Sequence, residues 1–257
     1  TSKTTGQQWV QYKAKEEEIK DFDFNALVEN VLKIVKPVEL KEIKIVNDSD
    51  FDTLTYTDLH IGMDTNADNN SMYAVLWNKE EAFKTADIII KKTLENRRSS
   101  ILIIDELGDM LDGFNGQTTR GGHSLPQNMT NKEAFDCAVE FKIYLLNGLA
   151  SYYDNIIINN ICNDNHAGDF GYFANKMFKD VADLMFKNVT IQNHVKFINH
   201  YFVGNIAFVI SHGKDDKALK FGFKPHLDTK GIEKLDQYCK HNNIYKNSEL
   251  VIFKKGD

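Results

Sequence analysis

With 257 residues, 42% of them hydrophobic, the chain is long enough for one sizeable α/β domain with a buried core and a small appendage. Its formal net charge of −6 excludes a generally basic nucleic-acid binder but leaves room for local contacts to phosphates. No apolar run reaches the roughly 18 residues of a membrane span, and Cys137, Cys162 and Cys239 are too scattered for a thiolate metal site. A cytoplasmic protein without signal peptide or membrane partner is therefore expected.

In chain order, residues 1–23 are polar, and Asn25 to Val35 carries Leu27, Val31, Ile34 and Val35 at helical spacing before Pro37. Residues 1–37 thus read as an N-terminal helical appendage or linker, and 38–257 as the main domain. Ile43 to Val46 and Phe51 to Tyr56 read as strands, the second opening into Thr57-Asp58-Leu59-His60-Ile61-Gly62. Lys79 to Arg98 places Phe83, Ala86, Ile90 and Leu94 on one helical face, with basic residues toward its negative end. The strand Ile101 to Ile104 follows, so this strand–helix–strand unit predicts a parallel pair that leads to Gly108-Asp109.

Gly113 to Asn128 is long and glycine-rich, a loop able to carry Arg120 and His123 toward a substrate. Thr130 and Glu133 form a capping-box signature ahead of a long helix whose stripe is Phe135, Val139, Ile143, Leu146 and Ala150. Ile156 to Ile161 reads as a core strand leading to Asn165-His166. Tyr172 to Lys187 reads as a helix with Phe173, Met177, Val181 and Leu184 facing inward. Val195 to Val203 and Ile206 to Ile210 flank Gly204-Asn205, a two-residue hairpin signal, and are expected to join the parallel sheet as antiparallel strands. The second leads to His212-Gly213. A helix over Ile232 to Lys240 and a strand over Glu249 to Phe253 end at Gly256-Asp257. The fold class is α/β, with mixed parallel and antiparallel sheets in a layered core flanked by helices.

Four strand-like runs are each followed by groups that bind cations, and α/β sheets bind ligands beyond the carboxyl ends of their strands. Asp58 and His60 are two residues apart, a spacing that places both side chains on one side of an extended chain. Carboxylate oxygens mixed with imidazole nitrogens and an Asn oxygen suit Mn²⁺, Fe²⁺ or Zn²⁺ rather than a structural thiolate zinc. An Asp shared by two cations would hold them about 3.5–4 Å apart, the arrangement that clamps both oxygens of an in-line phosphoryl displacement.

In this order and spacing, Asp58-Leu59-His60, Gly108-Asp109, Asn165-His166, His212-Gly213 and Gly256-Asp257 resemble the successive motifs of the calcineurin-like metallophosphoesterases, over most of residues 38–257. The resemblance implies two divalent metal ions, Mn²⁺ foremost and Fe²⁺, Zn²⁺ or Mg²⁺ otherwise. It assigns Asp58 and His60 to the first, Asp109 as bridge, and Asn165 and His212, with Asp257, to the second. His166 would stand beside the scissile phosphate, stabilise the transition state and protonate the leaving oxygen, while a water activated by the cations attacks.

Three departures qualify the match. The third motif reads Asn163-Asp164-Asn165-His166-Ala167, without the usual preceding Gly or following acid, which makes Asp169 a stand-in for that acid. No Arg follows Asp112, so the phosphoprotein-phosphatase version of the second motif is not matched. Asp257 falls where the first His of the last motif is expected, which implies a truncated domain with unequally held metals. Asp-Leu-His-Ile-Gly is most similar to the DNA-repair exonuclease branch and its phage relatives. The expected function is a phosphodiesterase acting on DNA, from a larger parent chain or a homodimer. The alternatives are hydrolysis of a small phosphodiester or cyclic nucleotide, and a degenerate domain that binds nucleic acid or a partner without catalysis.

Overall fold

The computed structural model describes residues 50–66, 76–213, 221 and 226–256. The expected helix over Asn25 to Val35, the strand over Ile43 to Val46, the 1–37 appendage and Asp257 lie outside the described residues. The first half alternates strand and helix: β1 (Asp52–Tyr56), α1 (Lys79–Glu95), β2 (Ile101–Glu106), α2 (Asn131–Ala150), β3 (Asn155–Ile161), α3 (Asp169–Met185) and β4 (Val189–His194). The four strands form one parallel sheet in the order β1-β2-β3-β4. The second half supplies β5 (Ile198–Val203), β6 (Ile206–Ser211), α4 (Thr229–His241), α5 (Ile244–Asn247) and β7 (Leu250–Lys255). In this second sheet β6 is central, antiparallel to β5 and parallel to β7.

Alternation along the strands stacks these elements into four layers. On β2, Leu102 and Ile104 point into a core shared with Ala82 and Ala86 of α1, Phe141 and Leu145 of α2, and Phe178 of α3. Leu107, just past β2 and on its other face, packs with Ile161 and with Ile210 of β6. On β6, Ala207 and Val209 face outward onto Cys239 of α4 and Ile244 of α5. The order is therefore α1–α3, parallel sheet, mixed sheet, α4–α5. Because both sheets are covered on both faces, β2 and β6 are buried almost throughout.

Local chemistry sets several boundaries. Thr130 accepts the Glu133 N–H while the Glu133 carboxylate accepts the Thr130 N–H, so the expected capping box opens α2. The Asn78 side chain caps α1 through the Glu81 N–H at 2.9 Å. Gly204 and Asn205 make the tight turn between β5 and β6, where Val203 pairs with Ile206.

Three sequence expectations need correction. The antiparallel pair does not join the parallel sheet but forms a sheet of its own. The run Val195 to Val203 is not one strand: β4 ends at His194, Val195 is exposed, and β5 starts at Ile198. Residues 195–197 carry the chain between sheets, and no periodicity distinguishes a sheet change from a continuing strand. On α3 the expected inward stripe faces out, with Phe173 59%, Met177 46% and Leu184 50% exposed. The buried face is Gly171, Ala174, Asn175, Phe178 and Ala182. Small residues let α3 lie close to its neighbours, and a reading by hydrophobicity alone passes over them. No helix among the described residues is long and apolar enough to cross a membrane.

Candidate metal centre

Beyond β1 and β2 the chain continues as two loops bonded side by side. The Asp58 N–H donates to Gly108 O at 3.1 Å, His60 N–H to Asp109 O at 2.9 Å and Ile61 N–H to Met110 O at 2.9 Å. Asp58, His60 and Asp109 adopt left-handed backbone conformations, with φ of 55°, 44° and 50°. Such conformations cost on the order of 1–3 kcal/mol each and persist where surrounding structure imposes them, as at ligand sites. Three of the chain's proposed ligands thus carry backbone strain. At Gly108, with φ of 98°, any side chain would be strained, and a Cβ would crowd His212 Nδ1 at 3.0 Å and the Asp164 Cβ at 3.2 Å.

The side chains converge on Asp109. Its Oδ2 lies 3.2 Å from His212 Nε2, 3.8 Å from His166 Nε2 and 4.0 Å from His60 Nε2. Asp58 Oδ1 is 3.8 Å from His60 Nε2, and Asn165 Oδ1 is 3.0 Å from His212 Nε2. Two overlapping sets, Asp58-Asp109-His212 and His60-Asp109-His166, keep their ligating atoms within 4.8 Å of one another. Carboxylates of Asp58 and Asp109 set far apart would have ruled out a shared pair of ions. They meet in one cluster instead.

This donor set fits divalent cations. Asp109, Asp112 and Asp164 are buried, and among the described residues no lysine or arginine pairs with any of the three. His60 Nδ1 and Asp112 Oδ2 are enclosed without a hydrogen bond, although His60 Nδ1 stands 3.2 Å from Asp112 Oδ1. Buried carboxylates held only by imidazoles and backbone N–H groups carry negative charge that a cation would balance.

Second contacts orient the rings. His212 Nδ1 lies 2.9 Å from Leu107 O, and His166 Nδ1 lies 2.8 Å from Asp112 O. A carbonyl can only accept, so both Nδ1 atoms carry the proton and both Nε2 atoms face the cluster. Burial opposes charge on His166, but its bond to Asp112 and the charge of Asp109 outweigh this and raise its pKa to about 9. His212 follows the same pattern: burial is overcome by its bond to Asp109, and its pKa also rises to about 9. Burial likewise works against ionised Asp109, yet the hydrogen bond and charge of His212, with His166 and His60, hold its carboxyl below the ordinary value.

Asp164 does what Asp169 was expected to do. Its Oδ1 accepts the Ala167 and Gly168 N–H groups at 2.8 and 3.2 Å, and its Oδ2 accepts the Asp109 N–H at 3.2 Å. Burial and the neighbouring Asp109 charge raise its pKa to about 6. The acid precedes the Asn-His pair instead of following it, and the turn into α3 brings it back against the pair. The sequence placed Asp112 three residues after Asp109 without giving it a role; its carbonyl and carboxylate hold His166 and His60.

The long loop lies against the third motif at Arg120 and turns outward at His123. Thr119 N–H donates to His166 O at 2.9 Å and Arg120 N–H to Asn165 O at 3.2 Å, which fastens the loop to the third motif. The Arg120 guanidinium bonds Asn163 Oδ1. His123 is exposed, its backbone is tied to Thr118, and no described contact brings its ring to the cluster. At the end of β7, Gly256 N–H donates to Ser211 O at 3.0 Å, and a Cβ on Gly256 would collide with Thr57 Oγ1, so β7 delivers the chain to the rim of the cluster. Of the remaining described histidines, His194 bonds Asn159 and Asn199, His200 bonds Tyr238, and His226 and His241 are exposed.

Comparison with protein-family models, with curated proteins and with solved structures gives no match to this chain.

Proposed function

We propose that the chain is a metal-dependent phosphodiesterase of the calcineurin-like metallophosphoesterase type, acting on DNA. The observation that carries this reading is the convergence of Asp58, His60, Asp109, Asn165, His166 and His212 from four separate strand ends onto one cluster. The two stacked sheets between helical layers and the order of the motifs along the chain support it. The DNA preference rests on the likeness of Asp-Leu-His-Ile-Gly to the repair-nuclease branch.

Asp58, His60, Asp109, Asn165 and His212 would hold two divalent cations, Mn²⁺ foremost, which supply positive charge to phosphoryl oxygens and lower the pKa of water. His166 is fixed through Nδ1, so its Nε2 is the atom that presents a proton to the cluster. With its pKa raised to about 9 it is protonated at neutral pH, and a nearby cation would lower that value toward neutrality. It can therefore balance charge on the phosphoryl group and give its proton to the leaving oxygen. Asp112 keeps the ring turned for that transfer.

The test supplies Mn²⁺ and measures hydrolysis of bis-p-nitrophenyl phosphate, a cyclic dinucleotide and single- and double-stranded DNA. Hydrolysis of the DNA substrates is expected, and His166→Ala should lose about 10²–10⁴-fold in turnover while still binding Mn²⁺. Undiminished turnover in that variant would remove His166 from the mechanism; cleavage of the small diesters alone would replace DNA by a small substrate.

A further inference from the structure

A cavity of about 420 Å³ is lined by Arg120, Cys162, Asn163, Gly168, Asp169, Tyr172 and Val195. Asn163 lies two residues before Asn165, and Arg120 is fastened by its backbone to Asn165 O. The cavity is thus held against the stretch that carries His166. Its walls combine the guanidinium of Arg120 bonded to the Asn163 amide, the half-buried ring of Tyr172 and the exposed side chain of Val195.

A cation, an aromatic ring, an amide and an apolar wall are the groups by which proteins hold single-stranded nucleic acid: the cation takes phosphate and the ring takes a base face. The volume lies within the range of small-molecule sites and suits one nucleotide. The Asp169 carboxylate on the same wall repels phosphate, which leaves the Arg120 side for the phosphate and gives the base amino groups an acceptor. From these groups we infer that the cavity is a subsite for the nucleotide flanking the scissile phosphodiester, with its base on Tyr172 and Val195 and its phosphate on Arg120. This rests on the phosphodiesterase reading of the cluster.

The test measures fluorescence anisotropy of a labelled single-stranded DNA dodecamer with the full chain carrying His166→Ala, in Mn²⁺. Adding Tyr172→Ala should weaken binding about tenfold, whereas Tyr172→Phe, which keeps the ring, should bind as the parent does. Arg120→Gln should weaken binding and reduce the salt dependence by about one phosphate contact, and Arg120→Lys should restore that dependence. Tyr245→Ala, which removes an exposed tyrosine of α5, should leave binding unchanged. A folded Tyr172→Ala chain that binds like the parent, or a parent that does not bind the dodecamer, overturns the subsite.

Should Tyr172→Ala not fold, photocross-linking of a bromodeoxyuridine dodecamer to the parent decides: adducts at Tyr172 uphold the subsite, and adducts only elsewhere overturn it. Hydrolysis of bis-p-nitrophenyl phosphate is followed separately in the chain with His166 intact. Hydrolysis without dodecamer binding sinks the subsite alone, and Tyr172-dependent binding without any hydrolysis sinks the phosphodiesterase reading while the nucleotide site stands.

Discussion

Glu106 and Asp109 are three residues apart at the end of β2, and both are buried, yet they are neutralised in different ways. Glu106 points toward the helices and meets Lys142 of α2 at 3.1 Å; Asn160 and Asn175 complete the shell around that ammonium, and Glu106 Oε1 accepts the Gly108 N–H. On the opposite face, Asp105 meets Lys254 of β7 at 2.7 Å, with Tyr201 and Asn159 as further donors. These two acids carry their own cations. Among the described residues, Asp109 has three imidazoles and a backbone N–H, and no lysine. The difference separates a carboxylate that binds the layers together from one left available to a ligand.

That contrast can be broken most forcefully at Lys142. With side chains only 2% and 1% exposed, Lys142 and Glu106 form a pair whose disruption leaves an uncompensated buried charge. Lys142→Met should cost about 3–5 kcal/mol in urea unfolding; a loss below about 1 kcal/mol would show that Glu106 is satisfied without it.

The second effect belongs to Asp109. Mn²⁺ at about 100 times its dissociation constant should stabilise the chain by about 2.7 kcal/mol. Asp109→Ala should abolish that gain, whereas Tyr201→Phe should retain it. Equal Mn²⁺-induced shifts of melting temperature in both variants would mean that the ion binds away from the cluster.

A third, more gradual effect is the dependence on pH. In chelator, the folded pKa values of His166 and His212 stand near 9, above the ordinary 6.5. Their protonated forms therefore add stability that is complete below about pH 6.5 and is lost as pH rises through about 9. Mn²⁺ must displace the proton on His212, and its charge disfavours the one on His166, so its affinity should rise across the same window, with proton release seen by calorimetry in buffers of different ionisation enthalpy. An affinity that does not change with pH would separate the histidines from the ion. The smallest effect is expected from Tyr201→Phe, about 1 kcal/mol by chemical denaturation, because Asp105 keeps Lys254 and Asn159.

The sequence by itself determined most of the elements, though not β4, and most of the candidate ligands. Alternating strand and helix periods announced β1-α1-β2, Thr130 and Glu133 announced α2, and Gly204-Asn205 announced the hairpin, because each is written in neighbouring residues. Asp58, His60, Asp109, Asn165, His166 and His212 were legible because each follows a strand-like run. Tertiary structure decided what depends on residues distant along the chain. The hairpin strands became a second sheet because their apolar sides are covered by Leu107 and Ile161 on one face and by α4 and α5 on the other. The small face of α3 was buried in preference to Phe173, Met177 and Leu184, since close packing rewards shape as well as hydrophobicity. Asp164, Asp112 and Lys142 acquired their roles from partners dozens of residues away. Which buried acid receives a lysine and which receives only histidines is set by the stacking of layers, and no local pattern in β2 records it.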